Sequence, residues 1–456
     1  MKKIKIYSIL FFACLFVMSC EDQINLTPAQ SLNTDEALAD LDGLETAING
    51  AYNSLQSVGY YGREFYVLPE IEGNLAYLTL ANSNRFISAY TYTWTVQNGD
   101  IADVWNIAYR TILRANNVLD KIDALEGDAT RKDQIKGEAL AMRALCHFDL
   151  VKFFAKPYAT GNPSSDLGVP IATTSTLEEL PRNSVKEVYD QVIADFNAAG
   201  ALLTGTDKNR FSADAVDALL ARVYLYQNDY ANAESQASKL IAKYSLGSDF
   251  NEMFSSATSG EDIFTLQFLS TETNGSDNHG GIYNPEGYGD IRATQDLIDL
   301  YEAGDQRNLV YQHTDGEYYT SKYDEQDGVQ GLVSPKIVRL GEMYLIRAEA
   351  RYRTNNDAGS LEDINTLRAA RGASAWTAIG SFRDIIEERQ RELVFEGHTT
   401  HDLWRNGLTM NRSQCNTGLE VTVQSCSILA SDHRTVHPIP QDEILVNQMM
   451  VQNDGY

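Results

Sequence analysis

The sequence predicts a mainly α fold: long helices packed in pairs, with an irregular, loop-rich part that carries a few short strands. Three observations predict it. First, apolar residues recur at helical spacing, with Leu340, Met343, Ile346 and Ala350 in one run and Ile385, Ile386, Leu393 and Val394 in another. Second, the stretch 219–244 places Leu220, Ala221, Tyr224, Ala233 and Leu240 at offsets near those of the TPR helix-turn-helix repeat, although Asp217 stands where that repeat has its first aromatic. The stretches around 100–154, 184–244 and 338–395 read as degenerate pairs of the same kind, which stack into a TPR-like superhelix. Third, two stretches, around 59–100 and 255–335, break the helical period and are rich in Tyr, Asn and Gly. Loops this long in a compact domain are functional or disordered, and the Tyr and Asn content argues for function.

The elements follow in order. Residues 1–19 read as a signal peptide: a basic start with Lys2, Lys3 and Lys5, then a nearly uncharged apolar run too short to span a bilayer comfortably. The run ends in Ser19-Cys20, which resembles a bacterial lipobox: a thiol for lipid attachment with a small residue before it. Cys20 is therefore expected to carry lipid and to anchor the chain to a membrane, with 20–32 as its tether and 33–456 as one domain. Glu21 and Asp22 resemble a surface-export signal, which would face the anchored chain to the exterior.

A helix is expected over 33–56, with Leu41, Leu44, Ile48 and Leu55 on one face and Asn33 and Glu36 as a capping pair. From Asp100 a stripe of Val104, Trp105, Ala108, Ile112, Leu119 and Ile122 marks the next helix. The stretch 131–154 is apolar on most sides, so it is expected to be buried among other helices. Ser184 with Glu187 forms a capping box that opens a helix to 203. A strand is expected over 262–268, and a hairpin over 309–323 around Asp315-Gly316. His437-Pro438-Ile439-Pro440 must be extended, and a short helix follows it.

The block 338–407 is crowded with charge: Arg339, Glu342, Arg347, Glu349 and Arg351, then Glu388, Arg389, Arg391, Glu392 and Glu396. These are either solvated helix faces or a lattice of ion pairs that locks helices together.

Composition bounds the function. The chain of 456 residues is 43% hydrophobic and 22% charged, ordinary for a globular protein, but its formal charge is −26. Such a surface disfavours nucleic acid and anionic lipid headgroups. Cys146 lies in an apolar helical run and is expected as a buried thiol, whereas Cys415 and Cys426 in a polar, turn-rich stretch are expected as a disulfide. No cofactor is expected. His398 and His401 stand beside Asp402, but the Glu of a zincin motif is missing between them, so no metal site is assigned. Nucleophile-elbow and Walker patterns are both missing.

Several stretches together resemble the SusD/RagB family of outer-membrane nutrient-binding lipoproteins. They are VWNIAYRTILRANNVLDKI, GEALAMRALCHFDLVKFF, RLGEMYLIRAEA, INTLRAARG, ERQRELVFEGHTTHDLWRNG and HPIPQDEILVNQMMVQNDGY. They run in order over nearly the whole chain. The departure is local: His398, Thr399, Thr400 and His401 stand where the family often has larger or basic residues. The resemblance implies four TPR-like units and an outer-membrane location. It also implies a SusC-like TonB-dependent transporter as partner, and capture of an oligosaccharide ligand without chemistry. A peptide-binding member of the same family and a glycan-hydrolysing lipoprotein are the alternatives.

Glycan capture needs flat aromatic faces for the sugar C–H face, and amide or guanidinium groups for its hydroxyls. The broken-period stretches offer Tyr60, Tyr61, Arg63, Asn74 and Trp94 in one, and Tyr283, Asn284, Tyr288 and Arg292 in the other. Trp94, in the polar run YTYTWTVQNGD, leads the set. The competing reading is that these rings pack irregular segments onto the helices.

Overall fold

The computed structural model describes residues 34–456. The expected signal peptide, Cys20, its tether and the Asn33 cap lie outside the described residues. The fold is a stack of helix pairs. Gly99–Ile122 packs along Ala129–Phe154, which packs along Val185–Gly200; Ala213–Tyr226 pairs with Tyr230–Ile241, and Leu340–Arg353 with Asp357–Ala370. The mainly α, TPR-like expectation therefore holds.

The helices begin where short polar side chains can satisfy free backbone donors. Asn98, Asp128, Ser184, Ser212, Asp229 and Asn356 each accept a hydrogen bond from a backbone N–H in the first turn of the helix that they open. Ser184 and Glu187 form the expected capping box. The central helix Ala129–Phe154 is enclosed on almost every side, as its all-round apolar pattern demands.

One expected helix is divided. Over 33–56 the structure has Thr34–Ala37, a break, and Leu41–Leu55, whose N-cap is Asp40. The Asp40 carboxylate accepts from the Gly43 N–H at 2.8 Å. The chain folds back so tightly here that a Cβ on Gly43 would lie 2.0 Å from the Ala37 carbonyl oxygen. Periodicity alone cannot see this, because the apolar face continues across the break.

The stretch 59–100 contains a buried helix, Glu64–Ile71, a strand, Ala76–Leu78, and a short turn of helix, Ile87–Thr91. The strand pairs antiparallel with Ile291–Ala293, placing Tyr77 opposite Arg292. Asp262–Thr265 pairs with Lys336–Arg339, and the hairpin Val310–Gln312/Tyr318–Thr320 closes around Asp315-Gly316 as its turn sequence demands.

The charges of 338–407 form a lattice, not a solvated face. Arg339 reaches Glu392 at 2.5 Å and Glu396 at 2.7 Å; Arg371 reaches Glu261 and Glu392, each at 2.8 Å; Arg307 reaches Asp305 and Glu388, each at 2.7 Å. All of these side chains are at most 4% exposed. A second knot joins Arg405 to Glu349 and Asp402, and Arg389 to Asp402. Burial drives the Glu392 carboxyl upward, but Arg371, Arg339 and Arg307 overcome it and hold the group well below the usual carboxylate range.

The C-terminal strap closes the fold. The His437 imidazole stacks on Phe153, meets Trp94 edge-on and pairs with Glu72 at 2.8 Å. Its backbone N–H donates to the Phe153 carbonyl, and the Gln441 N–H to that of Val96. Cys415 and Cys426 are joined as a disulfide, and their loop lies along the strand Ala76–Leu78, with the Val421 N–H donating to the Leu78 carbonyl. Cys146 is free and buried.

Candidate functional site

Three irregular segments, 82–88, 274–292 and 310–320, converge beside the two-stranded sheet that joins Ala76–Leu78 to Ile291–Ala293. The hairpin contributes by period: with Asp315-Gly316 at its turn, Tyr311 and Tyr319 are cross-strand partners on one face. Their rings lie 6.4 Å apart, and the His313 ring is 5.3 Å from Tyr319.

Arginines lie over two rings of this cluster. The Arg85 guanidinium lies 4.0 Å from the centre of the Tyr288 ring, and Arg292 lies 5.0 Å from that of Tyr319. Backbone strain positions the first of these. Asn84 and Phe86, on either side of Arg85, both adopt left-handed conformations, with φ of 62° and 58°. For a bulky residue such as Phe86 that costs roughly 1–3 kcal/mol. Gly289 permits the second close approach. Its φ is 57°, and a Cβ there would lie 3.2 Å from the Tyr319 ring.

Carboxylates fix each cation. Asp277 accepts from Arg63 at 3.2 Å and from Arg85 at 3.0 Å. Arg85 also donates to the Ser83 hydroxyl and to the Tyr288 hydroxyl, and Ser83 in turn donates to Asp290. Arg292 stands 3.5 Å from Asp315 and 3.9 Å from Glu317. The Tyr77 hydroxyl donates to Glu317, and the Tyr319 hydroxyl to Asp315 at 2.9 Å. Partial burial works against Asp315, but the Glu317 N–H, the Tyr319 hydroxyl and Arg292 hold its carboxyl below the usual range. Burial, with the Asp315 hydrogen bond, pushes the Tyr319 hydroxyl up to about 12.

Of the residues expected from sequence, Arg63, Tyr288 and Arg292 meet on this face. The others do not. Tyr60 and Tyr61 lie in the core, and both hydroxyls donate to Asp149 at 2.6 Å. Trp94 is only 6% exposed and packs against His437. Tyr283 is 1% exposed, with its ring 4.8 Å from that of Phe395. Asn284 is buried and builds the turn, accepting from the Glu286 N–H at 2.8 Å. Asn74 lies apart, lining a small cavity with Ile386, Leu403 and Met410. The expectation that Trp94, Tyr60, Tyr61 and Tyr283 sit in open loops is thus corrected. Their polar sequence neighbours suggested surface, but the C-terminal strap and the buried Asp149 supply partners from remote parts of the chain.

Arg85, Asp277, Tyr311 and Tyr319 were not singled out in the sequence reading. Period two counted outward from Asp315-Gly316 would have found the two tyrosines. Elsewhere, His401 is buried and His398 half-buried, and burial, followed by neighbouring cations, holds both imidazoles well below their ordinary range. Among the described residues no three His, Cys, Asp or Glu side chains are placed to hold a metal ion, and no helix is long and apolar enough to cross a membrane.

Residues 29–225 match a family model described as "Starch-binding associating with outer membrane", and residues 328–456 match one described as "SusD family". SusD-like protein P2 of Formosa agariphila is 26% identical, with all of both chains covered. Starch-binding protein SusD of Bacteroides thetaiotaomicron is 24% identical over 76% of each chain. The fold matches a SusD superfamily protein from Bacteroides thetaiotaomicron with a TM-score of 0.84 at 26% identity, covering 91% of this chain and 99% of the other. A SusD-like carbohydrate binding protein from Bacteroides vulgatus gives 0.79 at 26% identity, covering 90% and 97%.

Proposed function

Because this chain belongs to the SusD family, we propose that it captures oligosaccharides at the outer membrane and passes them on unaltered. In this reading Cys20 carries the lipid anchor, the protein faces the exterior, and a SusC-like TonB-dependent transporter receives the ligand. The family descriptions support the carbohydrate and the membrane. The observation that carries the reading for this chain is the face of Arg85 on Tyr288 and Arg292 on Tyr319.

That face suits capture. The half-buried rings of Tyr288 and Tyr311 offer apolar planes for the C–H face of a sugar, and the Tyr311 hydroxyl can meet its polar rim. Asp277, Asp315 and Glu317 can accept from sugar hydroxyls. The stacked arginines hold these groups in place, so little ordering is needed on binding.

Calorimetry against a panel of oligosaccharides tests the reading. Tyr288→Ala and Tyr311→Ala should each weaken binding about ten-fold, which corresponds to roughly 1.4 kcal/mol. Wild-type protein that binds peptides but no glycan, or that turns a glycan over, would refute it.

A further inference from the structure

We infer that this face selects oligosaccharides free of carboxylate and sulfate groups; the inference rests on the reading just given. Acidic polysaccharides are recognised by cations that are free to meet them, usually arginine in bidentate geometry. Here Arg63 and Arg85 already donate to partners on the protein, and carboxylates face Arg292. Arg63 gives Nε and Nη2 to Glu64 and Nη1 to Asp277. Arg85 gives Nη1 to Ser83 and Nη2 to Asp277 and Tyr288. Arg292 faces Asp315 and Glu317 and lies over the Tyr319 ring.

The balance of charge points the same way. These three arginines share the face with five carboxylates: Asp277, Asp290, Asp315, Glu317 and Glu286, the last exposed on the turn before Tyr288. The Tyr311 hydroxyl, raised first by burial, is raised further by Asp324, Glu286 and Asp315, so this field reaches the ring offered to the ligand. A uronate or sulfate ester would have to displace one of these carboxylates from its arginine or lie against it. A neutral sugar instead donates its hydroxyls to them. A protonated amino sugar adds an attraction.

Affinity electrophoresis of the full mature chain tests this. One gel set carries soluble starch or laminarin; the other carries alginate or polygalacturonate, both at low ionic strength. Retardation is expected with at least one member of the first set, lost in Tyr288→Ala, and with neither polyanion. Tyr288-dependent retardation by a polyanion overturns the inference and leaves glycan capture standing. Retardation that Tyr288→Ala does not reduce, or none in either set, overturns the reading of the face itself and the inference with it. As a second measurement, Asp315→Asn with Glu317→Gln should bring in a shift with polygalacturonate that salt abolishes. No such gain with polygalacturonate refutes the role given to these charges.

Discussion

Glu392 offers the sharpest test of the buried lattice. Its side chain is fully buried and meets Arg339 at 2.5 Å, Arg371 at 2.8 Å and Arg307 at 3.5 Å. Glu392→Gln keeps the shape and removes one negative charge. The three guanidinium groups retain Glu396, Glu261, and Asp305 with Glu388, so the uncompensated charge is shared and not isolated. Leaving one buried charge without its partner costs about 3–5 kcal/mol, and the sharing places the expected loss near the lower end of that range. Asp190→Asn, which breaks the exposed pair with Lys186, serves as the control and should leave the unfolding midpoint nearly unchanged. The assay is urea unfolding followed by circular dichroism.

The pH dependence has a definite sign. The folded carboxyl of Glu392 is held below its ordinary 4.5. Its contribution is therefore complete above the unfolded value and is lost as pH falls towards the folded one. The gap between wild type and Glu392→Gln should be widest at neutral pH and should narrow in acid. A variant as stable as the wild type at neutral pH, or a gap that does not narrow in acid, would refute the reasoning.

Other outcomes follow from features elsewhere in the fold. Replacing Cys415 and Cys426 by serine opens a loop of 11-residue separation, with an expected loss of about 3 kcal/mol from loop-closure entropy, read by thermal unfolding. Burial lifts Glu64 to about 8 against the pull of Arg63, so this group's contribution falls as pH rises from its unfolded value towards 8. Glu64→Gln should accordingly gain on the wild type between pH 5 and 8, by roughly 2–4 kcal/mol, in paired melting curves. Trp94→Ala should cost about 3–5 kcal/mol of stability, whereas Trp94→Phe should leave glycan affinity within two-fold, because the ring lies in the core.

The helical scaffold was legible in the sequence because it is local. Caps such as Ser184, stripes such as Val104 to Ile122, and the Asp315-Gly316 turn announce themselves over a few residues. The charged block 338–407 left two readings open, since burial of Arg339 depends on Glu392 and Glu396, more than 50 positions away. The binding face was legible only in part. Tyr288 and Arg292 could be picked out, but Arg85 gains its meaning from Asp277, 192 positions on. The same non-locality buried Trp94: a polar neighbourhood in sequence became an interior one when His437 folded against it.

That strap has a consequence in time. His437 joins Phe153 and Glu72 across separations of 284 and 365 residues, and Arg182 donates to the Val451 carbonyl 269 residues on. The earliest-made helices can form as they emerge, but these contacts form only once residue 437 has been made. A chain stalled before His437 would lack the imidazole that packs on both Trp94 and Phe153.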